Sequence, residues 1–390
     1  MRFRSDLVAA VTFGLVVGAV VVLTAESLSR EPPEQASRKA PASTEVERSE
    51  VAPATTRVVL AWAPGGLPPE AGRVVGRSPQ VGRVTTVVAG LDWMSSRWEG
   101  YEFPLELAAI EPRRYSRMVP RGEAGAIQRL GPGEVVLAAT AARSLELEPG
   151  DRIELRSGSY AIAGIVSDVT AMGYEALLPT TPSSWTRRDR YLLAQLKDRG
   201  KVGSAVEVVR ERVENLLPPG TRLRVRAEGE TPYLRYGDAV LPMLVIKETF
   251  GSFALRHTSG GAFQPDPAWR RNIVARRVPL LGRVVCHRAV FEQLIGALTE
   301  LRSEGLAHTV NPGDFGGCWS PRFIAHNPSG QISHHAWGVA IDLNASANAF
   351  GTKSDQDERL VETMERWGFT WGGRWLIPDA MHFEWARFPD

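Results

Sequence analysis

Side chains able to bind a metal or move a proton near neutral pH are confined to the C-terminal part of this chain. All seven histidines lie at or beyond His257, and six of the eleven tryptophans fall between Trp319 and Trp385. At roughly 100–200 residues per domain, 390 residues predict two or three domains. Only the last of these is equipped for histidine chemistry. With 43% hydrophobic and 23% charged residues the chain resembles an ordinary globular protein with enough apolar side chains for a core. Lys+Arg 46 against Asp+Glu 44 leaves a net charge of +2, so no basic excess points to nucleic acid. Two cysteines exclude a disulfide-dense scaffold and a four-cysteine zinc module.

Residues 7–25 are apolar or small apart from Thr12 and Thr24, a length that nearly spans a bilayer core as a helix. Arg2 and Arg4 precede them, which orients the N-terminus to the cytoplasm. The alternative is a cleaved signal peptide, for which the apolar run is long and Leu23-Thr24-Ala25 is a poor cleavage site. The expectation is a single-pass cell-membrane protein, attached through a transmembrane helix in residues 1–25, with everything after residue 26 outside. Residues 26–56 are rich in Glu, Arg, Ser, Pro and Ala and bury too little apolar surface to order, so they read as a disordered linker.

Residues 57–229 alternate short β-like runs, at 57–60, 84–88, 135–137 and 152–155, with Gly and Pro. Residues 205–217 read as an amphipathic helix on Val206, Val209, Val213 and Leu216, stopped by Pro218-Pro219-Gly220. No histidine and no metal-binding cluster occurs here. The region reads as a mixed α+β interaction or spacer domain, with a protein partner as its candidate ligand. Residues 133–166, GEVVLAATAARSLELEPGDRIELRSGSYAIAGIV, resemble the extracytoplasmic core domain of ABC-transporter permeases.

Residues 230–390 carry the chemistry. One segment reads Ser333-His334-His335-Ala336-Trp337-Gly338-Val339-Ala340-Ile341-Asp342, and another Asp379-Ala380-Met381-His382-Phe383-Glu384-Trp385. Two imidazoles and a carboxylate suit a catalytic zinc, which takes three protein ligands and keeps a position open. Residues 338–343 alternate as a strand ending near Asp342, and His335 sits on the turn that enters it; His382 on a second strand completes the set. Asp379, three residues earlier, stands where a general base is needed. His334 competes with His335 for the ligand role, and spacing alone does not separate them. Residues 289–304 and 354–367 read as helices stopped by Gly305 and Gly368, and residues 283–286, 322–325, 338–343 and 381–385 as strands. Cys286 and Cys318 both fall here and are expected to bridge in an oxidising compartment; the alternative is two buried thiols.

The pattern Ser-x-His-x-x-Gly-x-Ala-x-Asp followed by Asp/Glu-x-x-His resembles the signature of zinc D-alanyl-D-alanine carboxypeptidases of the VanY type and related peptidoglycan peptidases. It falls on Ser333, His335, Gly338, Ala340 and Asp342, then on Asp379 and His382. The resemblance covers about residues 265–385. It implies Zn2+ held by His335, Asp342 and His382, with Asp379 as base and Arg322 as electrostatic helper. Ser333 stands beside the substrate or caps the His335 turn, and Trp319, Trp337, Trp371 and Trp375 are candidate cleft walls, with packing as the alternative. The implied fold is an α+β domain with a small antiparallel sheet and helices around a zinc cleft, of the D-Ala-D-Ala carboxypeptidase/hedgehog type. The implied activity is hydrolysis of peptidoglycan stem peptides, foremost as a D-alanyl-D-alanine carboxypeptidase. The alternatives are an endopeptidase with the same zinc chemistry, or an inactive wall- or partner-binding module.

Overall fold

A computed structural model describes residues 58–185, 189–197, 202–238 and 241–389. The strand Val58–Trp62 is apolar throughout because both of its faces are covered. Val58, Leu60 and Trp62 enter one core, with Tyr191 and Tyr236. Val59 and Ala61 enter another, closed by Val209 and Val213 of the helix Val202–Glu214. This strand belongs to a mixed sheet whose spatial order is Arg152–Leu155, Gly158–Val166, Glu134–Ala138, Ala176–Leu178, Glu102–Ala109, Val81–Ser95, Asp189–Leu196, Val58–Trp62 and Arg224–Ala227. Two of its pairings are parallel, Glu134–Ala138 with Gly158–Val166 and Glu102–Ala109 with Ala176–Leu178.

The sheet does not stop where the sequence suggested a boundary near residue 229. Leu255–His257 pairs with Phe263–Pro265 and, through Leu255 and Glu102, with the first sheet. Two buried ion pairs join the same regions: Arg235 Nη2 to Glu106 Oε2 at 2.8 Å, and Lys247 Nζ to Glu175 Oε1 at 2.7 Å. Removing one partner of such a pair leaves an uncompensated buried charge and costs about 3–5 kcal/mol.

The C-terminal part holds a three-stranded antiparallel sheet in the order Ala340–Asp342, His382–Trp385, Phe369–Trp371, and a hairpin of Ile273–Val278 with Gly282–His287. The helix Phe291–Ser303 buries Phe291, Leu294, Leu298 and Leu301 on one stripe. The helix Glu358–Arg366 buries Leu360, Val361 and Met364 against the same core, together with Ile341 and Phe383 of the small sheet. Its N-cap is Asp357, whose side chain accepts from Arg359 N–H. The expected strand at 322–325 is not formed. Arg322 and Phe323 make only isolated bridges, to Ala262 and Ile332, and Ala325 turns the chain at φ 52°.

The membrane-anchored architecture needs correction. Among the described residues no helix is long and apolar enough to cross a membrane. The longest, Val202–Glu214 and Phe291–Ser303, have 13 residues each. That is about 20 Å of helix against about 30 Å of hydrocarbon, and each carries polar residues on one side. The apolar stretch at 7–25 and the linker at 26–56 lie outside the described residues. The expected transmembrane helix, the membrane as a partner and the single-pass cell-membrane placement therefore have no support among the described residues. What stands is an α+β fold with a small C-terminal antiparallel sheet behind a larger mixed α+β region.

Candidate metal centre

The site is built on strand register. Asp342 lies directly opposite His382 in the antiparallel pair, so both side chains leave the same face of the sheet. Ile341 and Phe383, one residue along on each strand, point to the other face and are fully buried in the core. His335 arrives from a 3₁₀ turn, His334–Trp337. Ser333 caps this turn, its Oγ accepting from His335 N–H at 3.3 Å. Gly338 ends it at φ 65°, and a Cβ there would lie 2.7 Å from the His287 backbone nitrogen of the hairpin. The turn thus requires glycine for conformation and for clearance.

Three donors converge. His335 Nε2 is 3.1 Å from Asp342 Oδ2 and 3.2 Å from His382 Nδ1, and His382 Nδ1 is 3.0 Å from Asp342 Oδ1. A tetrahedral zinc with bonds of about 2.0–2.1 Å needs donors about 3.3 Å apart, so these residues fit that ion. The tautomers agree as well. His335 Nδ1 donates to the Cys318 carbonyl at 2.8 Å, which leaves Nε2 free as a ligand. His334 turns away from the donors and meets Glu384, Nδ1 to Oε2 at 2.7 Å. The competition between the two histidines is therefore decided by these two partners, the Cys318 carbonyl and the Glu384 carboxylate.

The electrostatics follow from burial against pairing. Burial opposes charge on Asp342, yet hydrogen bonds from His335 and His382 hold its carboxyl well below the usual carboxylate range. Burial likewise opposes charge on His382, but hydrogen bonds to Asp342 and Glu384 push its pKa up to about 10. Glu384 is buried too, and His334 and His382 keep it ionised. Asp379 differs. Burial raises its pKa, the Asp342 charge raises it further, and His382, His335 and Arg322 oppose that rise. Its Oδ1 is buried without a hydrogen-bond partner.

The other expected residues separate. Arg322 is half-buried within electrostatic reach of Asp379 and makes no ion pair among the described residues. Ser333 is buried as a cap. Trp337 is not at the metal site: its indole is fully buried beside Phe253, with Nε1 donating to Gly251 O at 3.1 Å. Trp375 is the tryptophan that stands over the site, its ring 5.2 Å from that of His382. Cys286 and Cys318 form a disulfide with Cα atoms 5.4 Å apart, which ties the carbonyl behind His335 to the hairpin. The sequence reading missed Glu384 as a partner of His382. The signal was present, since residues two apart on a strand share a face.

Two histidines and an aspartate in this geometry, two of them on a small antiparallel sheet and one on the turn beside it, form a site that could hold a metal ion and suits zinc. Residues 326–385 match the family described as D-alanyl-D-alanine carboxypeptidase, and all three donors lie inside that match. No curated protein matches the chain. Among solved structures the chain is similar to the periplasmic region of MacB from Actinobacillus actinomycetemcomitans, at 12% identity over 46% of this chain and 92% of that one, TM-score 0.31. It is also similar to a permease-protein domain from Porphyromonas gingivalis, at 16% identity over 50% and 96%, TM-score 0.31. A third is the extracellular domain of the ABC-type transporter YknZ from Gram-positive bacteria, at 12% identity over 43% and 99%, TM-score 0.30.

Proposed function

We propose that this chain is a zinc D-alanyl-D-alanine carboxypeptidase that removes the terminal D-alanine from peptidoglycan stem peptides. The observation that carries the reading is the coincidence of the family match at 326–385 with three converging metal donors. His335, Asp342 and His382 would hold zinc, which when bound would supply a Lewis acid for the scissile carbonyl and for the attacking water. Asp379 takes the proton of the attacking water and passes a proton to the leaving amine. Its elevated pKa supports that role, because it brings the carboxylate closer to neutral pH as a base. The Arg322 guanidinium, within electrostatic reach of Asp379 and without an ion pair among the described residues, stabilises the developing oxyanion. Such a donor is typically worth about 3–4 kcal/mol of barrier. Trp375 forms an apolar wall beside His382.

The test is incubation of the full chain, loaded with zinc, with a pentapeptide stem, and identification of the released fragment by mass. Free D-alanine supports the proposal. A larger fragment makes the chain an endopeptidase with the same chemistry, and no product makes it a binding module.

A further inference from the structure

The segment that delivers Asp379 is fastened at its tip to the first sheet. We propose that Asp238, assisted by Arg222 and Arg224, is a positioning residue for the catalytic base, so that the larger α+β region serves as the platform of the peptidase site. The inference rests on the peptidase reading above.

The segment closes on itself at Gly372, whose carbonyl accepts from Trp375 N–H and from Asp379 N–H, each at 3.0 Å. Gly372 lies tight under the site, since a Cβ there would be 2.7 Å from the Asp379 carbonyl oxygen. The tip, Leu376, is held three ways. Its N–H donates to Asp238 Oδ2 at 2.6 Å. Its carbonyl accepts from Arg222 Nη1 at 2.9 Å. Its side chain packs on the core that contains Trp62 and Tyr236. Arg224 Nε lies 3.3 Å from Asp238 Oδ1, an ion pair at the same anchor.

Asp379 depends on this anchoring because no hydrogen bond among the described residues holds its buried Oδ1. Its place is set by the backbone from Gly372 onward. The opposite boundary of the site is tied to the same sheet, with Gln331 Nε2 donating to Glu106 Oε1 at 3.3 Å two residues before Ser333. A base displaced by about 1 Å loses on the order of 100-fold in rate, so a platform that holds the loop acts on turnover without touching substrate.

The experiment compares the full chain with Asp238→Ala and Asp238→Asn. Asparagine keeps an oxygen acceptor for Leu376 N–H; alanine does not. The readouts are amide exchange over 372–379, zinc content, melting temperature, kcat and KM. For Asp238→Ala the expectation is faster exchange confined to that segment, full zinc content and a kcat lowered about 10- to 100-fold at a KM within about threefold. Asp238→Asn restores both exchange and kcat. Arg222→Ala, an exposed change that removes the donor to the Leu376 carbonyl, gives the same pattern if Asp238→Ala does not fold. Unchanged exchange, or faster exchange with wild-type kcat, overturns the proposal. A wild-type protein without turnover overturns the peptidase reading instead, and exchange then still reads whether the anchor exists.

Discussion

Glu384 directs Oε2 to within 3.5 Å of Nε2 of His382, the ring nitrogen opposite the one that faces Asp342. His334 holds the same carboxylate oxygen from the other side. A carboxylate behind a ligating imidazole fixes the ring's orientation and raises its basicity. Glu384→Gln is therefore expected to weaken zinc binding about 10- to 100-fold while the fold survives. Competition with a chelator of known affinity measures this; wild-type affinity would remove Glu384 from the metal site's support.

Zinc binding should be coupled to proton release. Without metal, His382 is buried, yet its bonds to Asp342 and Glu384 push its pKa up to about 10. Zinc requires the neutral ring, so at pH 7 the ion must displace that proton. Because the pKa is raised, the proton persists up to about pH 10, and affinity climbs as pH rises toward it. Between pH 7 and 8.5 the apparent affinity is expected to tighten about tenfold per unit. Calorimetry in buffers of different ionisation enthalpy counts the protons released, and a pH-independent affinity contradicts the coupling.

Asp379→Ala is expected to retain zinc and to lower turnover about 10²–10⁴-fold, the usual contribution of a general base. In the metal-free protein, burial and the Asp342 charge hold the pKa of Asp379 above the ordinary aspartate value. Full activity in the alanine variant, with zinc content confirmed, would assign the base elsewhere.

The Cys286–Cys318 bridge closes a sequence separation of 32 residues. In the chain-entropy account such a closure is worth about 3–4 kcal/mol. The double variant Cys286→Ser, Cys318→Ser should lose stability on that scale in urea. It should also bind zinc less tightly, because the Cys318 carbonyl orients His335. A reductant that leaves the wild-type unfolding midpoint unmoved would show that the bridge does not stabilise the protein.

Spacing along the chain carried much of the site. The pattern from Ser333 to Asp342 and from Asp379 to His382 needs only a turn, a strand and a second strand. These depend on neighbours in sequence, so capping by Ser333, termination by Gly338 and two-residue alternation are readable in the letters. The helices Val202–Glu214, Phe291–Ser303 and Glu358–Arg366 were legible for the same reason, although the first ends before the expected residue 217 and the last begins after the expected residue 354. Tertiary structure decided what periodicity does not encode. Pairing of Asp342 with His382 is a register between segments 40 residues apart. The choice of His335 over His334 rests on the Cys318 carbonyl and the Glu384 carboxylate, both brought in from elsewhere. Trp337 looked like a wall and became core, since an indole beside a motif carries no sign of which side it faces. The largest gap is Leu376, which lies 138 residues from Asp238. Local sequence cannot announce such a contact, because it exists only where the tertiary fold packs Leu376 on the core that contains Trp62 and Tyr236.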